Sequence, residues 1–183
     1  MDRAAAARAQ IRVRPAERDD VPAIQAIYAH HVLHGIASFE EVPPDTAEID
    51  RRRTDILARG LPYLVAEQGG VMRGYAYAGP YRTRPAYRYT VEDSVYVAPD
   101  AAGQGIGRAL LGEVIARCTV LGLRQMVAVI GDSGNSASIR LHESLGFRRA
   151  AHLTSVGFKH GRWVDSVMMQ LPLGEGDSTL PPR

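Results

Sequence analysis

The sequence predicts a single α/β domain. Segments with strand and helix patterning alternate along the chain, and a glycine-rich turn joins one strand to the helix after it. No internal repeat or long linker divides the 183 residues, a length that suits one domain with a real core.

The elements follow in order. Ile11 to Arg14 is a short strand. Asp19 or Asp20 caps a helix running to about Leu33, with Val21, Ile24, Tyr28 and Val32 at helical spacing, and Gly35 ends it. A loop from Ile36 closes on Pro43 and Pro44. Asp45, with Glu48 three residues later, opens a second helix that stops at Gly60. Tyr63 to Glu67 and Val71 to Ala78 form a hairpin across Gln68-Gly69-Gly70. An Arg- and Tyr-rich loop runs from Gly79 to Tyr89, and Thr90 to Val97 is a strand ended by Pro99. After the turn at Gly103 to Gly107, a helix runs to about Val120 and stops at Gly122. Met126 to Ile130 is an apolar strand, and Asn135 to Leu145 a helix ended by Gly146. Two last strands, near 148–156 and 163–171, flank Lys159-His160-Gly161.

Composition narrows the class. Hydrophobic residues at 45% and charged residues at 23% favour a folded soluble protein over disorder. A net charge of +2 is too small to argue for nucleic acid, and no apolar run reaches membrane-span length. The lone Cys118 cannot make an internal disulfide, so a reducing, cytoplasmic setting is expected. Residues 1–10 lack the apolar stretch of a signal peptide; they and 173–183 are expected to be disordered tails around a domain at 11–172.

The strongest motif is Gly103-Gln104-Gly105-Ile106-Gly107-Arg108. Glycines let backbone N–H groups approach phosphate oxygens, the next helix presents its positive end, and Arg108 can add charge. A P-loop would need Gly-Lys-Ser/Thr, which is absent. A dinucleotide fingerprint needs glycine where Arg108 stands, and Asp132 alone does not supply the rest. Coenzyme A pyrophosphate is the remaining class, against the plainer alternative of a glycine-rich turn without a ligand.

Several motifs in order resemble the GNAT acetyltransferases: Val95-Tyr96-Val97, the glycine turn, Asn135-Ser136-Ala137-Ser138 and Leu145-Gly146-Phe147. The resemblance covers about Ile11 to Leu171. Ala76-Tyr77-Ala78-Gly79-Pro80, Thr90-Val91-Glu92, Val127 to Gly131, Arg140-Leu141-His142-Glu143 and Lys159-His160-Gly161 are similar to the phosphinothricin and methionine sulfoximine acetyltransferase branch. Ala102 stands where that family usually has Arg or Gln.

The resemblance implies a mixed, mostly antiparallel sheet with helices on both faces and two splayed central strands. It implies acetyl-CoA as co-substrate and a homodimer. CoA contacts are expected at Val95 to Val97, Gly103 to Arg108, Asn135, Ser138 and Ser144. It implies that Phe39, Glu40, Lys159, His160 and Trp163 close the acceptor pocket, with surface or dimer contacts as the alternative.

Acetyl transfer to an amine needs a base, an oxyanion donor and help for the leaving thiolate. Glu92, at the start of the cofactor strand, is the candidate base; a salt bridge to Arg82, Arg84 or Arg88 is the plainer reading. Strand alternation turns Asp93 to the other face. The Val97 N–H is the candidate oxyanion donor. His142 occupies the position of the family's thiolate-protonating tyrosine, and a packed, hydrogen-bonded histidine is its alternative. Arg82, Arg84 and Tyr87 precede Glu92 and suit an acceptor's acid group. Cys118 shares a helical face with Leu110, Leu111, Val114, Ile115 and Leu121, a core register that argues against an acyl-enzyme. His30 and His34 lack a third ligand, so no metal is expected, and Arg51-Arg52-Arg53 is expected to be a solvated helix face.

The favoured reading is an N-acetyltransferase for a small amino-acid-like amine. A protein N-terminus or aminoglycoside acceptor is a second reading, and the Arg-rich loop disfavours a cationic aminoglycoside. A CoA-binding module without catalysis is a third.

Overall fold

In the computed structural model, residues 10–181 are described. The strands are β1 Arg12–Pro15, β2 Tyr63–Gln68, β3 Val71–Pro80, β4 Thr90–Val97, β5 Gln125–Gly131, β6 Arg148–Lys159 and β7 Arg162–Pro172. The helices are α1 Val21–His34, α2 Thr46–Ala58, α3 Ile106–Val120 and α4 Ser136–Ser144. All seven strands form one sheet in the order β1-β2-β3-β4-β5-β7-β6. Every pairing is antiparallel except β4 with β5.

Local chemistry sets the boundaries. The Asp45 carboxylate accepts from the Glu48 N–H at 2.8 Å, so α2 starts where its cap stands. Gly122 at φ +78° takes the chain out of α3 in a conformation that side chains resist.

Alternation along β4 builds two cores. Val91, Val95 and Val97 face α3 and α4 with Leu110, Leu111, Val114, Cys118, Ile139 and Phe147. Tyr96 faces α1 and α2 with Tyr28, Tyr63, Tyr75 and Tyr77. The Tyr75 ring stacks on Tyr96 with centroids 5.3 Å apart, and Tyr63 stacks on Tyr77 at 4.9 Å. Glu92, two pleats from Tyr96, shares the tyrosine side, whereas Asp93 shares the α3 side.

The sheet opens at its centre. β4 pairs with β5 only from Thr90 to Asp93, so among the described residues Ser94 to Val97 have β3 on one side and no strand on the other. The Ala98 N–H donates to Arg73 across β3, and alternation therefore turns the backbone groups of Val95 and Val97 toward the opening.

Three expectations need correction. The loop expected from Gly79 begins later, because β3 extends to Pro80, and a 3-10 turn occupies Pro85–Tyr87. The strand expected near 148–156 runs on to Lys159 across two irregularities, where the Asp165 carboxylate accepts from the Ser155 N–H. The C-terminal tail is not loose as far as 181. Leu173 is buried in the core, and Arg124 donates to the carbonyls of Gly176 and Leu180. Most of the expected N-terminal tail, 1–9, lies outside the described residues, as do 182–183.

Candidate active site

Where β4 and β5 part, a cleft of about 140 Å³ is lined by Glu92 to Tyr96, Ala128 to Gly131, Ala37, Asn135, Ser138 and His142. Glu92 and Asp93 both reach it, although they point to opposite faces, because the opening passes through the sheet. Burial pushes the Glu92 carboxyl above its ordinary range, Asp93 adds to this, and Arg82 opposes it. Among the described residues Glu92 makes no ion pair within 4 Å, so the plainer salt-bridge reading does not hold; Arg82 acts on it only at longer range.

His142 is 2% exposed on α4. Its Nδ1 lies 2.8 Å from the Ser138 carbonyl and its Nε2 3.0 Å from Asp93 Oδ2. Burial lowers the imidazole pKa, but Asp93 and the Ser138 carbonyl outweigh it and the net shift is upward. The other oxygen of Asp93, a residue 7% exposed, is buried without a partner among the described residues. Asn135 caps α4 by accepting from the Ser138 N–H at 3.3 Å.

The open edge continues to the glycine turn. Gly103 and Gly105 have φ +73° and +89°, and Gly105 caps α3. By helix geometry the first N–H groups of α3, from Ile106 onward, lack intrahelical partners. Arg108 donates to the Ser144 hydroxyl at 2.7 Å, which joins two expected contact residues from different helices. Gln104 instead reaches the Asp100 carbonyl. These N–H groups, glycines and arginine fit a pyrophosphate. Asp132 is committed to Arg162 and the Gly134 N–H, so it is not a ribose acid.

The expected acceptor residues divide. Arg82, Arg84 and Tyr87 are exposed in the loop before β4, with Tyr87 edge-on to Tyr81. Phe39 lies over Gly131 and Gly157, where a Cβ would come within 2.9 and 2.6 Å of its ring. Glu40 pairs with Arg52 at 2.7 Å. Lys159 does not line the cleft. It is 2% exposed and donates to the Ser38 carbonyl at 2.6 Å, holding the loop that carries Phe39 and Glu40. Burial lowers its pKa, and Glu41 and Glu40 oppose this.

Arg51, Arg52 and Arg53 are paired with carboxylates from Glu48, Asp55, Glu40 and Asp50 rather than simply solvated. The His30 and His34 rings lie 4.9 Å apart, tilted by 47°, and no group of three potential metal ligands gathers among the described residues. Cys118 is fully buried, and burial with Asp93 nearby pushes its thiol up to about 12. Two residues were not singled out from sequence. Asp93 was visible only as the neighbour of Glu92. His31 stands in the sequence only as one of three close histidines on the first helix, yet its Nε2 bonds the Val97 carbonyl at 2.8 Å on the open edge.

A protein that moves a group between a long phosphorylated carrier and a small acceptor needs this continuity of turn, backbone edge and buried carboxyl. Group transfer is the class it defines. The model of the acetyltransferase (GNAT) family matches residues 24–147. A phosphinothricin N-acetyltransferase from Alcaligenes faecalis is 60% identical over 96% of this chain and 89% of its own length. An L-methionine sulfoximine/L-methionine sulfone acetyltransferase from Salmonella typhimurium is 46% identical over 89% and 95%. A phosphinothricin acetyltransferase from Sinorhizobium meliloti, solved in complex with acetyl-CoA, superimposes with a TM-score of 0.92 at 48% identity, covering 94% of each chain. The chain belongs to the GNAT family and is an acetyl-CoA-dependent N-acetyltransferase.

Proposed function

We propose that the chain moves the acetyl group of acetyl-CoA to the amino group of a small amino-acid-like acceptor. The acceptor is of the phosphinothricin, methionine sulfoximine or methionine sulfone type, as the names of its relatives suggest. The observation that carries the reading is the half-buried Glu92 at a cleft that continues into the open backbone edge and the glycine turn.

Acetyl-CoA supplies a thioester carbonyl activated toward amines. The chain supplies the rest. An acceptor amine enters as an ammonium and must lose a proton before it attacks. Glu92, with its raised pKa, takes that proton directly or through water. The new C–N bond forms as the C–S bond breaks, and the Val97 N–H on the open edge faces the developing oxyanion. The acylated nitrogen sheds its extra proton, which passes through water to the departing CoA thiolate and leaves it as the thiol. Arg82 or Arg84 holds the acceptor's acid group. Cys118, buried and protonated, takes no part, so transfer is direct.

Exposed Val156, Phe158 and Trp163 on β6 and β7 support a homodimer, which light scattering tests. The cytoplasm is the expected compartment.

Thiol release from acetyl-CoA across an amine panel tests the function. Turnover is expected with the three acceptors named above. Acetylation of peptides with none of the three accepted would overturn this reading.

A further inference from the structure

The proposed mechanism assigns the amine's proton to Glu92 and leaves His142 without a defined state. Its surroundings define one. The Ser138 carbonyl can only accept, so Nδ1 carries a hydrogen. Nε2 faces the Asp93 carboxyl at 3.0 Å. The second Asp93 oxygen has no donor, and the side chain is 2% exposed. A buried carboxylate is tolerated only with a cation or several donors beside it. At Asp93 the imidazole is the one such partner among the described residues. The other titratable groups near the pair are Glu92 on β4 and Cys118 on α3, and neither can supply a positive charge. β5 brings only Ala128, Val129, Ile130 and Gly131 to this cleft.

We infer that Asp93 is a positioning residue that holds His142 as a fixed imidazolium in the wall of the cleft, where it stabilises negative charge leaving with the sulfur. The inference rests on the proposed acetyl transfer for its kinetic consequence only. It changes the role expected for His142. Both ring nitrogens are spent on protein acceptors, so the ring acts through its charge and need not surrender a proton. The Phe147 ring, edge-on with centroids 5.0 Å away, helps fix its plane.

The direction of the effect follows from linkage. His142 has a pKa raised above its ordinary value, so its charge is present below neutrality and lost as pH rises through the raised value. Replacing Asp93 by Asn keeps the shape and removes the larger raising influence, leaving burial opposed by the Ser138 carbonyl alone.

The test begins with the ring itself. Nitrogen NMR of histidine-labelled protein across a pH titration, with His142→Gln for assignment, is expected to report an imidazolium that persists to higher pH than in a free histidine. A neutral ring accepting from a protonated Asp93 would overturn the inference. This arm needs no substrate, so it stands even if the acetyl-transfer reading fails. In Asp93→Asn the ring is expected to lose its charge at lower pH than in the parent. With the accepted acceptor, kcat is expected to fall at least tenfold while the acetyl-CoA KM moves less than threefold. The alkaline limb of kcat should shift to lower pH, and Asp93→Glu should restore part of the rate. Should Asp93→Asn not fold, the His142→Gln profile serves instead: loss of the alkaline limb supports the inference, and an unchanged limb overturns it. A folded Asp93→Asn variant with an unshifted limb also overturns it.

Discussion

The buried ammonium of Lys159 donates to the carbonyl of Ser38, 121 residues earlier in the chain, at 2.6 Å. One hydrogen bond thus ties the end of β6 to the loop that carries Phe39 and Glu40. Lys159→Met keeps much of the volume and removes the tether. Because the buried ammonium is itself disfavoured, the melting temperature should change by only a few degrees. Acceptor KM should rise several-fold, with the acetyl-CoA KM unchanged. Equal changes in both constants would mean that Lys159 supports the whole fold and not this loop.

Gly105 serves phosphate binding through its backbone. Among the described residues a Cβ there would meet only Ile11, at 3.8 Å, but φ of +89° resists a side chain. Gly105→Val should therefore cost about 1–2 kcal/mol of stability by backbone strain. CoA affinity should drop by more than about tenfold, or about 1.4 kcal/mol. Calorimetry on the folded variant decides the matter, and an unchanged affinity refutes the role of this turn.

Glu92→Gln removes the base and preserves the shape. Turnover should fall by about two to four decades while CoA still binds. The folded state raises the Glu92 pKa, so this group favours folding at low pH and that contribution is lost as pH rises through the raised value. The Gln variant should accordingly be no less stable than the parent at pH 7. Full turnover in it at every pH excludes Glu92 as the base.

Among the described residues Arg82 is the one nearby cation that opposes the rise of the Glu92 pKa. Activity should increase with pH through a limb above the ordinary carboxylate value, as Glu92 loses its proton. Arg82→Gln should move that limb to still higher pH. The same variant should raise acceptor KM, since the guanidinium would also hold the acceptor's acid group. A limb that stays in place, or moves to lower pH, contradicts this coupling.

Cys118 should be silent chemically. With its thiol pushed up to about 12 and no exposure, it should resist alkylation in the native protein. Cys118→Ala should cost about 1 kcal/mol for the emptied volume and leave kcat intact. Mass spectrometric capture of an acetylated Cys118 would replace direct transfer with a two-step route.

The local features were legible. Asp45 with Glu48 predicts the start of α2, Gly122 the end of α3, and alternation the opposed faces of Glu92 and Asp93. The same alternation hid how the two meet. A pattern along one strand cannot say that the neighbouring strand departs after Asp93 and opens the sheet. The Asp93–His142 contact spans 49 residues and joins a strand to a helix, so it exists only after the chain has folded. Lys159 illustrates the reverse case. A lysine beside a turn ordinarily stays in water; here packing of the 36–44 loop buries it. The extension of β6 likewise depends on Asp165, a residue on the partner strand.

The gap beside Ser94 to Val97 gives this protein an unpaired strand edge that lies inside its sheet rather than at the rim. Rim edges are where foreign strands attach and aggregation begins. An interior edge is screened by geometry: β5 and α4 stand across the opening, so a strand that brought its own sheet would be refused, while a single thread can slip in. The same backbone groups that would be a hazard outside thus become a sieve for width. Mutations that straighten β5 onto β4 would close this slot, and could leave a better-paired, more heat-resistant protein with nowhere to receive its carrier.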